Sequence, residues 1–256
     1  MIGSVLRAGW EGEFETLRLT DWAEIGDLRP GEEYVRADIR DFGSLRPATE
    51  GIDCVVHLAA IGNEKRFPAL LEANLLGTYN VFESARQAGV RRLVFASTSH
   101  VTGFYPRSTV VRPSDPVRPD TAYGATKIFG EALGRLYADK FDIDVVCVRI
   151  GAFSSQPVAG ALEMWLSDRD AVELFARCVR ADVGGFLVVY GVSANSRRWW
   201  ENDAAFATLG YEPRDDAFVV EPIQPARDAA PGSVGASVQG GFYAERDYHS
   251  KPEKGP

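Results

Sequence analysis

Tyr123 and Lys127 stand four residues apart in the segment AYGATKIFGEALGRLYADKF, a spacing that puts both side chains on one face of a helix. A phenol ordinarily keeps its proton up to about pH 10. An ammonium beside it favours the phenolate, so such a pair can act as a general base near neutrality. The same spacing also occurs on many helix surfaces as a solvated pair with no chemistry. Upstream lies LVFASTSH, whose end carries three hydroxyl residues, Ser97, Thr98 and Ser99. A hydroxyl there could hold a substrate oxygen while the tyrosine takes its proton. Read without the pair, the three are a plain turn cluster.

These groups need elements to bring them together. Residues 14–21, 33–38, 53–60, 91–98 and 142–150 are short runs rich in Val, Leu, Ile and Phe. Helical patterns at 67–89 and 122–141 lie between them, the first ending at Gly89, a residue suited to a helix stop. Continuous apolar strands alternating with helices predict an α/β fold, a doubly wound parallel sheet of Rossmann type covered on both faces. In that fold the carboxyl ends of the strands meet at one crevice. The hydroxyl cluster and the tyrosine helix both fall beside it. Residues 1–150 form the doubly wound unit. Residues 151–256 form a small substrate-side region: a Gly-, Ser-, Ala- and Pro-rich loop at 151–164, a helix at about 168–181, a strand at 186–192, a Trp-bearing segment, and an irregular tail from Asp215.

Composition narrows the class. The 256 residues are 45% hydrophobic and 25% charged, as in an ordinary globular protein. A net charge of -8 argues against a nucleic-acid partner, which needs a concentrated basic surface. No apolar run is long enough to span a membrane, and the N-terminus has no signal-peptide pattern. Cys54, Cys147 and Cys178 have neither disulfide nor metal-ligand spacing and lie in apolar stretches, which fits a reducing cytoplasm and no metal.

Several motifs in order carry a resemblance: DCVVHLAA at 53–60, Asn74 in EANLLGTYNV, LVFASTSHVTGF at 93–104, and YGATK at 123–127. Together they resemble the extended short-chain dehydrogenases/reductases, also called NAD-dependent epimerases/dehydratases, across residues 3–151. The resemblance implies NAD as cofactor, Tyr123 as general base, Lys127 beside it, and Thr98 as the active-site hydroxyl. Further segments, among them RPDTAYGATKIFGEAL, VRIG, WLS and GVSAN followed by WW, are similar to the branch that oxidises the anomeric hydroxyl of a uronic acid to a lactone. By that analogy Ser99 and His100 line the sugar site beside Thr98 and Tyr123. His100 reads equally well as a strand-end residue bonded to backbone.

On the cofactor side, Asp21 ends a strand where a carboxylate can bond both ribose hydroxyls and repel the extra phosphate of NADP. The expected cofactor contacts are Gly3, Asp21, Asp38, Ile39, Leu58, Ala59, Ala60, Asn74 and Lys127. His57 reads as a buried structural histidine. The expected partners are a small sugar-like molecule and further copies of the chain in a homo-oligomer.

The sequence departs from the family at two places. The start, MIGSVLRAGW, corresponds to the end of a glycine-rich phosphate loop and the helix after it, with Gly3 as the third glycine. The sheet is therefore expected to lack its central first strand, and the fold to be incomplete at its N-terminal side. On the substrate side, Gly62 stands where the uronate branch has serine, and loop 151–164 has no basic residue. A carboxylate site without a guanidinium loses its main specificity element. Lys65 and Arg66 could supply a cation from another direction, or they are solvated loop charges. Two other readings stay open: a nucleotide-sugar epimerase or dehydratase with tightly held NAD, and a cofactor-poor, non-enzymatic homologue.

Overall fold

The computed structural model describes residues 2–225 and 229–245; the rest of the expected irregular tail, 226–228 and 246–256, lies outside the described residues. Helix α1 (Ile2–Gly9) leads to strands β1 (Leu17–Asp21) and β2 (Glu32–Arg36), then α2 (Phe42–Thr49) and β3 (Cys54–His57). Helix α3 (Phe67–Leu70) widens into a π-helical stretch, Leu71–Leu76, and continues as α4 (Gly77–Gln87) before β4 (Arg92–Thr98). Next come α5 (Ala122–Phe141), β5 (Asp144–Ile150), the two-residue strands β6 (Ala152–Phe153) and β7 (Trp165–Leu166), α6 (Asp168–Arg180) and β8 (Phe186–Gly191). Helices α7 (Asp203–Leu209), α8 (Val234–Ser237) and α9 (Phe242–Glu245) complete the order. Each apolar run of the sequence is a strand, and Gly89 takes the left-handed φ of +77° that ends the preceding helix.

Apart from the short β6-β7 pair, the strands form two separate parallel sheets. One has the order β3-β4-β5-β8, in which Thr98 pairs with Ile150 and Ile150 with Gly191. The other is β1-β2 alone. No ladder joins β1 or β2 to the four-stranded sheet among the described residues. β8 also extends the sheet past residue 150, so the region after that position shares the central layer.

Pleating sorts the core into two layers. Leu93, Phe95, Val145 and Cys147 point to one face and pack with Phe82, Ala85, Leu133 and Tyr137 of α4 and α5. Val94, Val146 and Val148 point to the other face and pack with Leu6 of α1 and Leu174, Phe175 and Cys178 of α6. Burying each such side chain contributes about 1.5–3 kcal/mol. Helix α1 sits tightly on α6: a Cβ on Gly9 would lie 2.5 Å from the Val172 side chain. Among the described residues no helix is long and apolar enough to cross a membrane.

Candidate active site

Two close approaches bring β4 and α5 together. A Cβ on Gly130 would lie 2.2 Å from the Phe95 ring, and one on Gly124 would lie 2.6 Å from the His100 carbonyl. Glycine at both positions lets the helix lie directly on the strand end. The first turn of α5 is secured by Thr121, which accepts from the Gly124 N–H at 2.9 Å, and by Glu64, which accepts from the Tyr123 N–H at 2.8 Å. Beyond β4 the chain makes a tight turn at Ser99–Val101, capped by the Thr98 hydroxyl, which accepts from the His100 N–H at 3.3 Å. Thr98, Tyr123 and Lys127 thereby line one cleft of about 2220 Å³.

The Lys127 ammonium lies 4.8 Å from the centre of the Phe95 ring and 5.8 Å from that of Tyr123. It has no carboxylate partner among the described residues. Burial pushes it down to about 7. Burial also pushes the Tyr123 phenol up, to about 12, against an opposing hydrogen bond with Thr98. The expected pull of the lysine on the phenol is therefore not what dominates: water exclusion drives each group toward its neutral form. The two still act as a unit, because a neutral lysine beside a phenol and an ammonium beside a phenolate hold the same number of protons.

The three hydroxyls part company. Ser97 also lines the cleft, but its hydroxyl is committed to Glu131, to which it donates at 2.6 Å, within a buried network in which Arg149 bonds both Glu131 oxygens at 2.9 and 2.8 Å. Thr98 and Ser99 stay with the cleft, as does His100. His57 is buried, bonds the Thr78 hydroxyl at 3.3 Å and is pushed down to about 3 by burial and then by the charge of Lys127, as expected of a structural histidine.

Gly3, Asp21, Asp38, Ile39, Leu58, Ala59 and Ala60 line the same cleft. The Asp38 carboxyl is held below its usual range by its hydrogen bonds and ion pair with Arg40, at 2.6 Å. Asn74 is placed differently. It is 1% exposed and lies in the π-helical stretch. Its amide bonds the Ile61 N–H and carbonyl at 2.8 and 3.1 Å and the Thr126 hydroxyl at 3.1 Å. It ties the loop after β3 to α5 and is absent from the cleft lining.

A dinucleotide suits this lining. The Asp21 carboxylate at the end of β1 can accept from ribose hydroxyls, the first-turn N–H groups of α1 at Ile2–Ser4 can donate to phosphate, and the Lys127 ammonium can donate to a second ribose. Among the described residues no group of three or more His, Cys, Asp or Glu is arranged to hold a metal ion.

On the substrate side Gly62 lines the cleft, while Lys65 and Arg66 are exposed and lie outside its lining. Loop 151–164 contributes an apolar wall, including Phe153 and Met164. Three lining residues carried no signal in the sequence. Arg107 lies over Trp199 at 5.3 Å and donates its Nε to the Val238 carbonyl at 3.1 Å. Tyr243, in the tail, meets the His100 ring edge-on at 5.0 Å. Glu64 brings a carboxylate to the cleft beside Tyr123.

Comparison with known proteins gives a consistent picture. The model of the NAD dependent epimerase/dehydratase family matches residues 3–183. The chain is 40% identical over 217 residues to a uronate dehydrogenase of Agrobacterium fabrum, covering 84% of this chain and 82% of that protein. It is 38% identical to an L-arabinose 1-dehydrogenase (NAD(P)(+)) of Haloferax volcanii, covering 75% and 86%. In structure it is similar to a mutant uronate dehydrogenase of Agrobacterium tumefaciens complexed with NAD, with a TM-score of 0.86, 36% identity, and 95% and 93% of the two chains covered.

Proposed function

This chain belongs to the NAD dependent epimerase/dehydratase family, and on that premise we propose that it is an NAD-dependent dehydrogenase that oxidises the anomeric hydroxyl of a sugar or sugar acid to a lactone. The observation that carries this reading is the meeting of Thr98, Tyr123 and Lys127 at one wall of a cleft that Gly3, Asp21 and Asp38 also line. Uronate dehydrogenases at 35–40% identity over most of the chain support sugar-acid oxidation over the nucleotide-sugar reaction. The cofactor-poor reading is disfavoured by the same comparisons.

NAD, when bound, supplies a cationic ring that accepts hydride. The remaining work falls to side chains of this chain. Thr98 holds the sugar oxygen. Tyr123 takes the hydroxyl proton as the C–H bond breaks and its electron pair leaves with the hydrogen, so a lactone, NADH and one proton result. Lys127 compensates the charge on Tyr123 and bonds the ribose. Ser99 and His100 orient the sugar. Gly3, Asp21, Asp38, Ile39, Leu58, Ala59 and Ala60 form the proposed cofactor contacts, and Asn74 supports them by fixing the loop at Ile61. The site has no serine at Gly62 and an apolar 151–164 wall, so neutral aldoses stand beside uronic acids as candidate substrates. Assembly into a homo-oligomer belongs to the same proposal, supported by the exposed Leu76, Tyr79, Leu136 and Phe141 beside or on α4 and α5. Sedimentation at several concentrations tests it.

The deciding assay follows NADH absorbance with NAD and a panel of uronic acids, aldoses and aldose phosphates. Turnover with a free sugar, giving a lactone, is the expected outcome. Epimerisation of a nucleotide sugar without net NADH would overturn it.

A further inference from the structure

We propose that Asp120 is a positioning residue that fixes the His100 ring with its Nε2 presented to the sugar, where it accepts a hydrogen bond from a substrate hydroxyl; this rests on the dehydrogenase reading above. The Asp120 side chain is 0% exposed, and its two oxygens lie 3.0 and 2.9 Å from His100 Nδ1. No other side chain bonds that carboxylate among the described residues. The helix cap beside it is Thr121, so Asp120 is not needed there.

Its surroundings are shaped for it. A Cβ on Gly103 would lie 2.2 Å from the carboxylate and a Cβ on Gly240 only 1.7 Å, and the Gly240 N–H closes the cradle by donating to the Gly103 carbonyl at 2.8 Å. Burying a carboxylate is unfavourable without a partner, and the partner here is one ring nitrogen. A carboxylate only accepts, so in the neutral imidazole the ring hydrogen sits on Nδ1 and leaves a lone pair on Nε2. Nε2 has no hydrogen bond among the described residues and belongs to a ring that lines the cleft. Tyr123 and Tyr243 meet that ring edge-on at 6.3 and 5.0 Å, which limits its rotation. The lone pair is thus held beside the proposed base.

Nitrogen NMR of the imidazoles tests this directly, because the chain has three histidines. In the wild type His100 should carry its hydrogen on Nδ1. A His100 carrying it on Nε2 overturns the proposal without any variant. In Asp120→Asn the amide can donate to Nδ1, so the hydrogen should move to Nε2. The KM for the sugar should then rise about two- to tenfold, the range for one lost neutral hydrogen bond, while kcat and the KM for NAD change little. A tautomer switch with no change in the sugar KM would overturn the substrate contact. If Asp120→Asn does not fold, His100→Asn, whose amide can still donate to Asp120 but lacks the Nε2 acceptor, should raise the sugar KM, and an unchanged KM there has the same overturning force. Failure of every sugar to yield NADH would remove the dehydrogenase reading and the hydroxyl contact with it, whereas the wild-type tautomer judges Asp120 separately.

Discussion

The two pieces of the sheet are built to different standards. β4 and β5 are buried along nearly their whole length, with helices on both faces. β1 and β2 are half-buried, and β1 ends in two exposed residues. The four-stranded piece carries Thr98 at a strand end and, through α5, Tyr123 and Lys127. The two-stranded piece carries Asp21. On the proposed assignment, chemistry at a reacting bond, which tolerates errors of well under ~1 Å, is mounted where packing leaves least freedom. Recognition of a ribose diol by Asp21, the less exacting task in that proposal, is mounted on the shallower piece.

That contrast can be broken or sharpened by experiment. Tyr123→Phe should lower kcat by about 10²–10⁴-fold, the range for loss of a general base, with an unchanged thermal melt. Activity within a few-fold of wild type would remove the chemistry from the four-stranded piece. Glu131→Gln, just beneath the site, leaves the buried Arg149 without its counter-charge. It should lower unfolding free energy by about 3–5 kcal/mol in urea titration; a loss below ~1 kcal/mol would mean that this piece is no more rigid than the other. The pH dependence of kcat/KM reads the Tyr123–Lys127 pair. Activity should rise with pH through about 7, where Lys127 gives up its proton, falling roughly tenfold per unit below that. Lys127→Arg, which cannot deprotonate, should carry the limb upward toward the range of the phenol. An unmoved limb would assign it to another group. Asp21→Ala should have the smallest effect, lowering the preference for NAD over NADP by about tenfold, or ~1.4 kcal/mol, with kcat preserved. A large fall in kcat would show that the two pieces are not separable.

Much of this was legible in the sequence because parallel strands buried on both faces are continuous apolar runs, and because Tyr123 and Lys127 share a helix face by spacing alone. The direction of their shifts was not legible. It depends on how completely the packing of α5 on Phe95 excludes water, which no spacing encodes. Asn74 was expected as a cofactor contact on the family resemblance alone. The π-helical stretch turns it inward, and the partner is the loop at Ile61. Asp120 carried no signal: its partner is twenty positions away, and the cradle around it comes from Gly103 and Gly240, which no local pattern links. Tyr243 lies in a tail without periodicity.

That tail gives the site an order of completion in time. The four-stranded sheet can close once β8, ending at Gly191, has left the ribosome. The cradle at Gly240 and the ring of Tyr243 emerge roughly fifty residues later, about 3–10 s at ~5–20 residues per second. During that interval a nascent chain can hold Tyr123 and Lys127 in place while Asp120 lacks part of its enclosure and His100 lacks one of its two aromatic neighbours. Closure of the sheet and enclosure of the His100–Asp120 pair can thus be separate events in the synthesis of a single molecule.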